Sequence, residues 1–317
     1  MIRLYPTLTI LLLPAVCLSV ASPSRAITQS TSPGMLTPGK PVEGRLAAGE
    51  KHRFTVQLND GQTCRVTMAA GENVIMTVMS AEGSELGESD LDQEAAGQSV
   101  LILAGQSGDY RVQIKTDDEG KPGSYKIEVD EARESSDRDR QVAQAQNNFL
   151  AANRLSSEGT KESSEVAIKK YEAAAALWKA AEDKGGEAQS LFQAGNVRFN
   201  LGNSKEALKN LLAALPLSIS AGRLRLERML LDKIGNTYAR LSDYEKALDY
   251  LNQSLTASRS AGDKGQEGEA LNSIGLVYAS QGRYQKALES YSQALPLLRA
   301  ARDRENEGAV LSNMGLA

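Results

Sequence analysis

The chain has 317 residues but one histidine and two cysteines. A lone His52 excludes a multi-histidine metal site and a relay of histidine protons. Cys17 and Cys64 are too few for a disulfide framework or a thiolate-ligated zinc module. Aromatic residues amount to 5%. Positive charge is not in excess: 36 Lys and Arg face 40 Asp and Glu, for a net charge of −4. That balance argues against a nucleic-acid binder driven by phosphate neutralisation. No Walker loop, nucleophile elbow or metal-ligand cluster is present. The chain therefore reads as non-enzymatic, with no cofactor. Apolar residues at 41% and charged residues at 24% describe a folded chain, not a disordered polyelectrolyte. Its length suggests two domains.

The first 26 residues have the layout of a secretory signal. Arg3 is followed by no charge until Arg25, and the apolar core Leu8 to Val16 lies between them. Small residues then offer cleavage after Ala21 or Ala26. Pro14 and the shortness of the core weigh against a transmembrane anchor. Export to the periplasm or the medium is expected, with no membrane span after cleavage. Cys64 is then the one thiol left, and as a strand residue it is expected to be buried and inert.

Residues 27–40 are rich in Ser, Thr, Pro and Gly and read as a linker. From 41 to 131 the periodicity is two. Phe54, Val56 and Leu58 alternate with polar neighbours, as do Val66 and Met68, Tyr110, Val112 and Ile114, and Tyr125, Ile127 and Val129. Alternation gives each strand one dry face and one wet face. Turn signals at Asn59-Asp60-Gly61, Ala70-Gly71, Ser107-Gly108-Asp109 and Gly120 to Gly123 separate them, and the pattern predicts a small antiparallel β-sandwich. Residues 27–131 carry nine bases and 17 acids. The acid clusters at Glu82–Glu94 and Asp117-Asp118-Glu119 lack the spacing of a calcium loop and read as solvated. Gly49 to Val56 and Ser107 to Ile114 resemble the pre-peptidase C-terminal domains of secreted bacterial proteins. That resemblance implies a binding or targeting accessory. A carbohydrate-binding role would want exposed aromatics, but Phe54, Tyr110 and Tyr125 all fall on predicted core faces.

Residues 132–317 repeat with a period of 40. Gly195, Gly235, Gly275 and Gly315 are in register, as are Leu191, Leu231, Leu271 and Leu311, and Ala167, Ala207, Ala247 and Ala287. A fixed period of this size means stacked supersecondary units. In the clearest copy, a first helix over 267–280 breaks at Gln281-Gly282 and a second begins at Arg283. Tyr284, Leu288, Tyr291 and Leu295 make its apolar stripe. About four copies are expected, the first degenerate over 140–182 and the last incomplete. Ile274 to Tyr278, Gly282-Arg283-Tyr284, Ala287-Leu288 and Tyr291 to Leu295 resemble the tetratricopeptide repeat. The fold expected is thus multidomain: a β-sandwich followed by an α-α superhelix.

The long period and Ala294-Leu295-Pro296-Leu297 further resemble the repeats of bacterial CHAT-domain proteins, which implies, as an alternative, the regulatory part of a caspase-like peptidase whose catalytic domain is absent from these residues. The tetratricopeptide resemblance implies a concave face built by the first helices, holding Phe192, Asn196, Asp232, Asn236, Arg240, Asn272 and Leu276. Asparagine both donates and accepts, so it can read a peptide backbone. A protein or peptide partner is expected, and no nucleic acid. No Lys–Asn arrangement for clamping a terminal carboxylate is seen. The last copy stops after Leu311, Met314 and Leu316, so self-association through that end, or a longer native chain, is a further expectation.

Overall fold

The computed structural model describes residues 34–70, 74–88, 98–116 and 122–316. The expected signal, the linker up to residue 33 and the acidic residues Asp117 to Glu119 lie outside the described residues, as do residues 89–94 of the Glu82–Glu94 cluster.

Among the described residues ten strands form two sheets: β1 (Gly34–Met35), β2 (Val42–Leu46), β3 (Lys51–Leu58), β4 (Gln62–Ala70), β5 (Val74–Met79), β6 (Glu85–Glu88), β7 (Gln98–Leu103), β8 (Gly108–Thr116), β9 (Gly123–Val129) and β10 (Arg133–Glu134). One sheet runs β1-β3-β8-β5-β6. In the other, β4 pairs with β7, β9 and β10, and β9 pairs with β2. All pairs are antiparallel except β1 with β3. Phe54, Val56 and Leu58 from one sheet and Val66, Met68 and Ile127 from the other share a single core. Tyr110 and Tyr125 are buried there too, so the alternating residues face inward as the pattern predicts.

Two boundaries move. The stretch 34–40 does not behave as linker: Gly34 and Met35 pair with Phe54 and Thr55, and Leu36 is buried in the core. At the other end, Arg133 and Glu134 still pair with Thr63 and Gln62. The alternation rule misses both, because two-residue strands show no period.

Among the described residues nine helices follow: α1 (Asp137–Ser157), α2 (Lys161–Ala180), α3 (Lys184–Asn200), α4 (Ser204–Ser220), α5 (Leu224–Arg240), α6 (Tyr244–Ala261), α7 (Lys264–Ser280), α8 (Tyr284–Ala301) and α9 (Arg304–Leu316). From α3 onward the odd-numbered helices begin every 40 residues. Asp183, Asp263 and Asp303 cap three of them, each accepting from a backbone N–H three residues on at 2.9–3.1 Å. At the fourth such position stands Arg223, which makes no side-chain cap. α4 and α8 run unbroken through Pro216 and Pro296. Each helix pair closes over apolar side chains from its neighbour, as with Leu251, Leu271, Tyr291 and Leu298. The helical part is a tetratricopeptide-type solenoid.

The two-sheet domain rests on the start of this solenoid. Leu101 of β7 is buried with Val142 of α1 and Ala181 just after α2, against Trp178. Gln146 of α1 reads the same strand: its Oε1 accepts from Leu101 N at 3.2 Å and its Nε2 donates to Leu101 O at 3.0 Å.

Candidate functional site

The first helices of successive repeats, α3, α5, α7 and α9, lie side by side and form the concave wall. Polar rungs tie them together. Asn236 Nδ2 donates to Asp232 Oδ2 on its own helix at 2.8 Å and to Ser273 Oγ on α7 at 3.1 Å. Asn313 Nδ2 on α9 donates to Asn272 Oδ1 on α7 at 2.9 Å. Asn306 Nδ2 donates to Glu269 Oε1 at 3.2 Å and to Asp303 Oδ2 at 2.7 Å. Arg240 spans α5 to α3: its guanidinium lies 3.8 Å from the Phe199 ring centroid, and Nη1 donates to Phe199 O at 2.5 Å.

Five of the expected residues, Asp232, Asn236, Arg240, Asn272 and Leu276, line one open concavity of about 510 Å³. Asn196, Phe192 and Asp232 line a second of about 400 Å³. Asp232, Lys233 and Glu269 border both, so the two are halves of one groove. Leu276 is 41% exposed there. Phe192 is placed differently: it is 2% exposed and packs in the core with Leu211, Leu226 and Leu230. Its repeat register puts it level with Asp232 and Asn272, but its large apolar ring is packed in the core. Asn236 and Asn272 are not simply solvated, since each bonds to the next helix. Asn236 keeps its Oδ1 and Asn272 its Nδ2 for a ligand.

Glu269, Lys233 and Asn306 were not singled out from the sequence. A signal for Glu269 exists: it precedes Asn272 by three residues, one turn along the same helix face. The carboxyl of Glu269 is pushed up to about 7, first by burial, then by the negative charges of Asp232, Asp303 and Asp263, with Lys233 opposing. Asp232 is also raised by burial, against Lys233, Ser273 and Asn236. Asp232 Oδ1 and Asn196 Oδ1 are buried with no hydrogen-bond partner.

Other polar clusters do less. A cavity of about 120 Å³ between the sheets and the solenoid, bordered by Arg65, Gln146 and Trp178, is too small for a peptide. His52 Nδ1 meets Tyr125 Oη at 2.6 Å, and Nε2 meets Glu50 Oε1 at 3.2 Å. The Tyr125 hydroxyl is pushed up to about 12, first by burial, then by Glu50, so it stays protonated as a structural partner of His52. Cys64 is 3% exposed, and its thiol is pushed up to about 12 by burial and then by Asp130. No thiolate nucleophile forms there. Among the described residues, no three His, Cys, Asp or Glu side chains converge to hold a metal ion, and no helix is long and apolar enough to cross a membrane.

Residues 225–316 match the family model of the tetratricopeptide repeat. None of the curated proteins matches the chain. Similar solved structures include the apo form of RapI, at 16% identity and a TM-score of 0.47, covering 54% of this chain and 67% of that one. Aspartyl phosphate phosphatase F from Bacillus subtilis is similar at 16% identity and a TM-score of 0.47, over 52% of this chain. A Rap protein complexed with competence and sporulation factor is similar at 15% identity and a TM-score of 0.46, over 56% of this chain. The matches span 43% and 47% of those last two proteins' lengths.

Proposed function

We propose that the protein is an exported, non-enzymatic scaffold that holds an extended peptide or protein segment in the concave groove. The observation that carries this reading is that Asn236 and Asn272, on adjacent helices, both line one concavity of about 510 Å³. An acceptor and a donor on adjacent helices suit the N–H and C=O of a peptide unit. The volume is within the ordinary range of ligand sites, and exposed Leu276 offers an apolar contact beside them. Export rests on the charge-free segment after Arg3 and the small residues that end it. The alternative of a peptidase accessory rests on the repeat pattern, and it would use the same groove.

Phage-displayed random peptides selected on the full chain test the groove. Recovered peptides should bind in fluorescence anisotropy and lose affinity at least about tenfold against Leu276→Gln, which removes the apolar contact without adding charge. Peptides that bind Leu276→Gln as tightly as the parent would move the binding surface off the concave face. N-terminal sequencing of protein from an envelope fraction tests export: a start after Ala21 or Ala26 supports it, and an intact Met1 in cytoplasmic protein overturns it.

A further inference from the structure

The centre of the groove is more specific than its walls. Asp232 on α5 and Glu269 on α7 border both concavities. Asp232 Oδ2 is held by Asn236, but Oδ1 is buried and accepts nothing. Glu269 accepts one bond, from Asn306. Among the described residues neither carboxylate has an ion pair. Of the nearby cations, Lys233 offsets the burial of the two carboxyls only in part and lies 5.0 Å from the centroid of the Phe199 ring, Arg240 stacks on the same ring, and Arg228 bonds Asp263 at 3.2 Å.

We propose that the bound segment presents one lysine or arginine side chain to this centre, its cation held between Asp232 and Glu269. This rests on the groove reading above and names the chemistry of the partner. Partly desolvated carboxylates with an incomplete countercharge are costly, and a cation supplied by the ligand offsets that cost. Neutral backbone donors would leave the charge uncompensated, and an acidic side chain would add to it. Exposed Leu276 in the same concavity gives the aliphatic stem of such a side chain an apolar surface.

The titration of Glu269 adds a signature. Burial first, then Asp232, Asp303 and Asp263, raise it and Lys233 lowers it, so near neutral pH the empty groove holds a proton on Glu269 for part of the time. A bound cation favours the ionised form and expels that proton. Affinity therefore falls as pH drops through about 7, approaching about tenfold per pH unit below it.

The peptides whose binding is weakened in Leu276→Gln are the first probe. Each should carry a basic residue whose replacement by Gln weakens binding at least about tenfold. Glu269→Gln should cause a similar loss and abolish the pH dependence between about pH 8 and about pH 6. Its unfolding midpoint is measured alongside, and Asp232→Asn is a second variant should Glu269→Gln fold poorly. Groove-dependent peptides with no basic residue would overturn the inference while leaving the groove reading intact. A second measurement needs no selected ligand: N-acetyl-arginine amide titrated into the full chain and followed by the side-chain amide signals of Asn236, Asn272 and Asn306. Saturable shifts at about pH 8 whose affinity falls about tenfold by about pH 6, and that are lost in Glu269→Gln, support the site. No shift at tens of millimolar overturns it.

Discussion

Gly235 faces Leu251 so closely that a methyl group on the glycine would stand 2.6 Å from Leu251 Cγ and 3.1 Å from the carbonyl oxygen of Ala247. The same approach recurs at Gly195 against Leu211 and at Gly275 against Tyr291. The repeated glycine is thus a packing requirement: it lets the first helix of each pair press onto the second.

Gly235→Ala should therefore destabilise the solenoid by about 1–3 kcal/mol through overpacking. Gly315 is in the same register but has nothing within 4 Å of its hypothetical methyl. Gly315→Ala should be neutral or stabilise by up to about 1 kcal/mol through helix propensity. Urea unfolding of both variants distinguishes the effects. Equal destabilisation would mean that the glycine serves the backbone and not the contact.

How much the sequence discloses depends on what covers a side chain. The glycine register and the alternating strands are legible because neighbours repeat along the chain. β7 is not, since Val100 and Ile102 enter the sheet core while Leu101 between them is buried against α1. With both faces covered, the alternation disappears. Phe192 shows the reverse case: its register is right and its exposure is not, because repeat equivalence fixes a backbone position and not the neighbours of a ring. Glu269 escapes notice because its character comes first from burial and then from Asp232, Asp303 and Asp263, of which Asp232 and Asp303 lie on other elements far from it in sequence.

Ser242 occupies a turn where the neighbouring repeats use Gly202 and Gly282. Its φ is 63°, against 82° and 72° for the glycines, in the left-handed region that costs a residue with a side chain about 1–2 kcal/mol. Ser242→Gly removes that strain but gives the unfolded chain more freedom. The net expectation is a gain of about 0.5–1 kcal/mol. The urea midpoint should rise with an unchanged slope. A fall would show that the Ser242 side chain contributes more than the strain removes.

Gln146 occupies both backbone groups of Leu101 on β7, and its Nε2 also reaches Leu86 O at 3.4 Å. It closes the outer edge of β7 and ties the sheets to α1. Gln146→Ala should loosen this edge by about 1–2 kcal/mol. Hydrogen exchange at the Leu101 amide should then accelerate by about 5–30-fold, with little change at Ile127 in the same core. Unchanged protection at Leu101 would place the domain contact on Leu101, Val142 and Trp178 alone.

Asp139 joins the last strand to the first helix. It accepts from Arg133 Nη1 and Nη2 at 2.6 and 2.9 Å, and from Ser136 N at 2.8 Å, while Ser136 Oγ accepts from Asp139 N at 3.2 Å. The Arg133 guanidinium, with Ser136 assisting, holds its carboxyl well below the ordinary aspartate value of 3.8 despite burial. A depressed folded value means that the unfolded chain takes up the proton first. The stabilisation is therefore complete above about pH 5 and drains away as pH falls through and below the ordinary value. Arg133 is more than half exposed, so solvent screens part of the attraction, and the lower end of the range for charged hydrogen bonds applies, about 1.5 kcal/mol. Asp139→Asn should lower the urea midpoint near neutral pH by that amount. Between about pH 5 and about pH 3 the two proteins should converge, since only the parent has a carboxylate to lose. Parallel curves over that range would assign the effect of the substitution to helix capping by Ser136 and not to the charge.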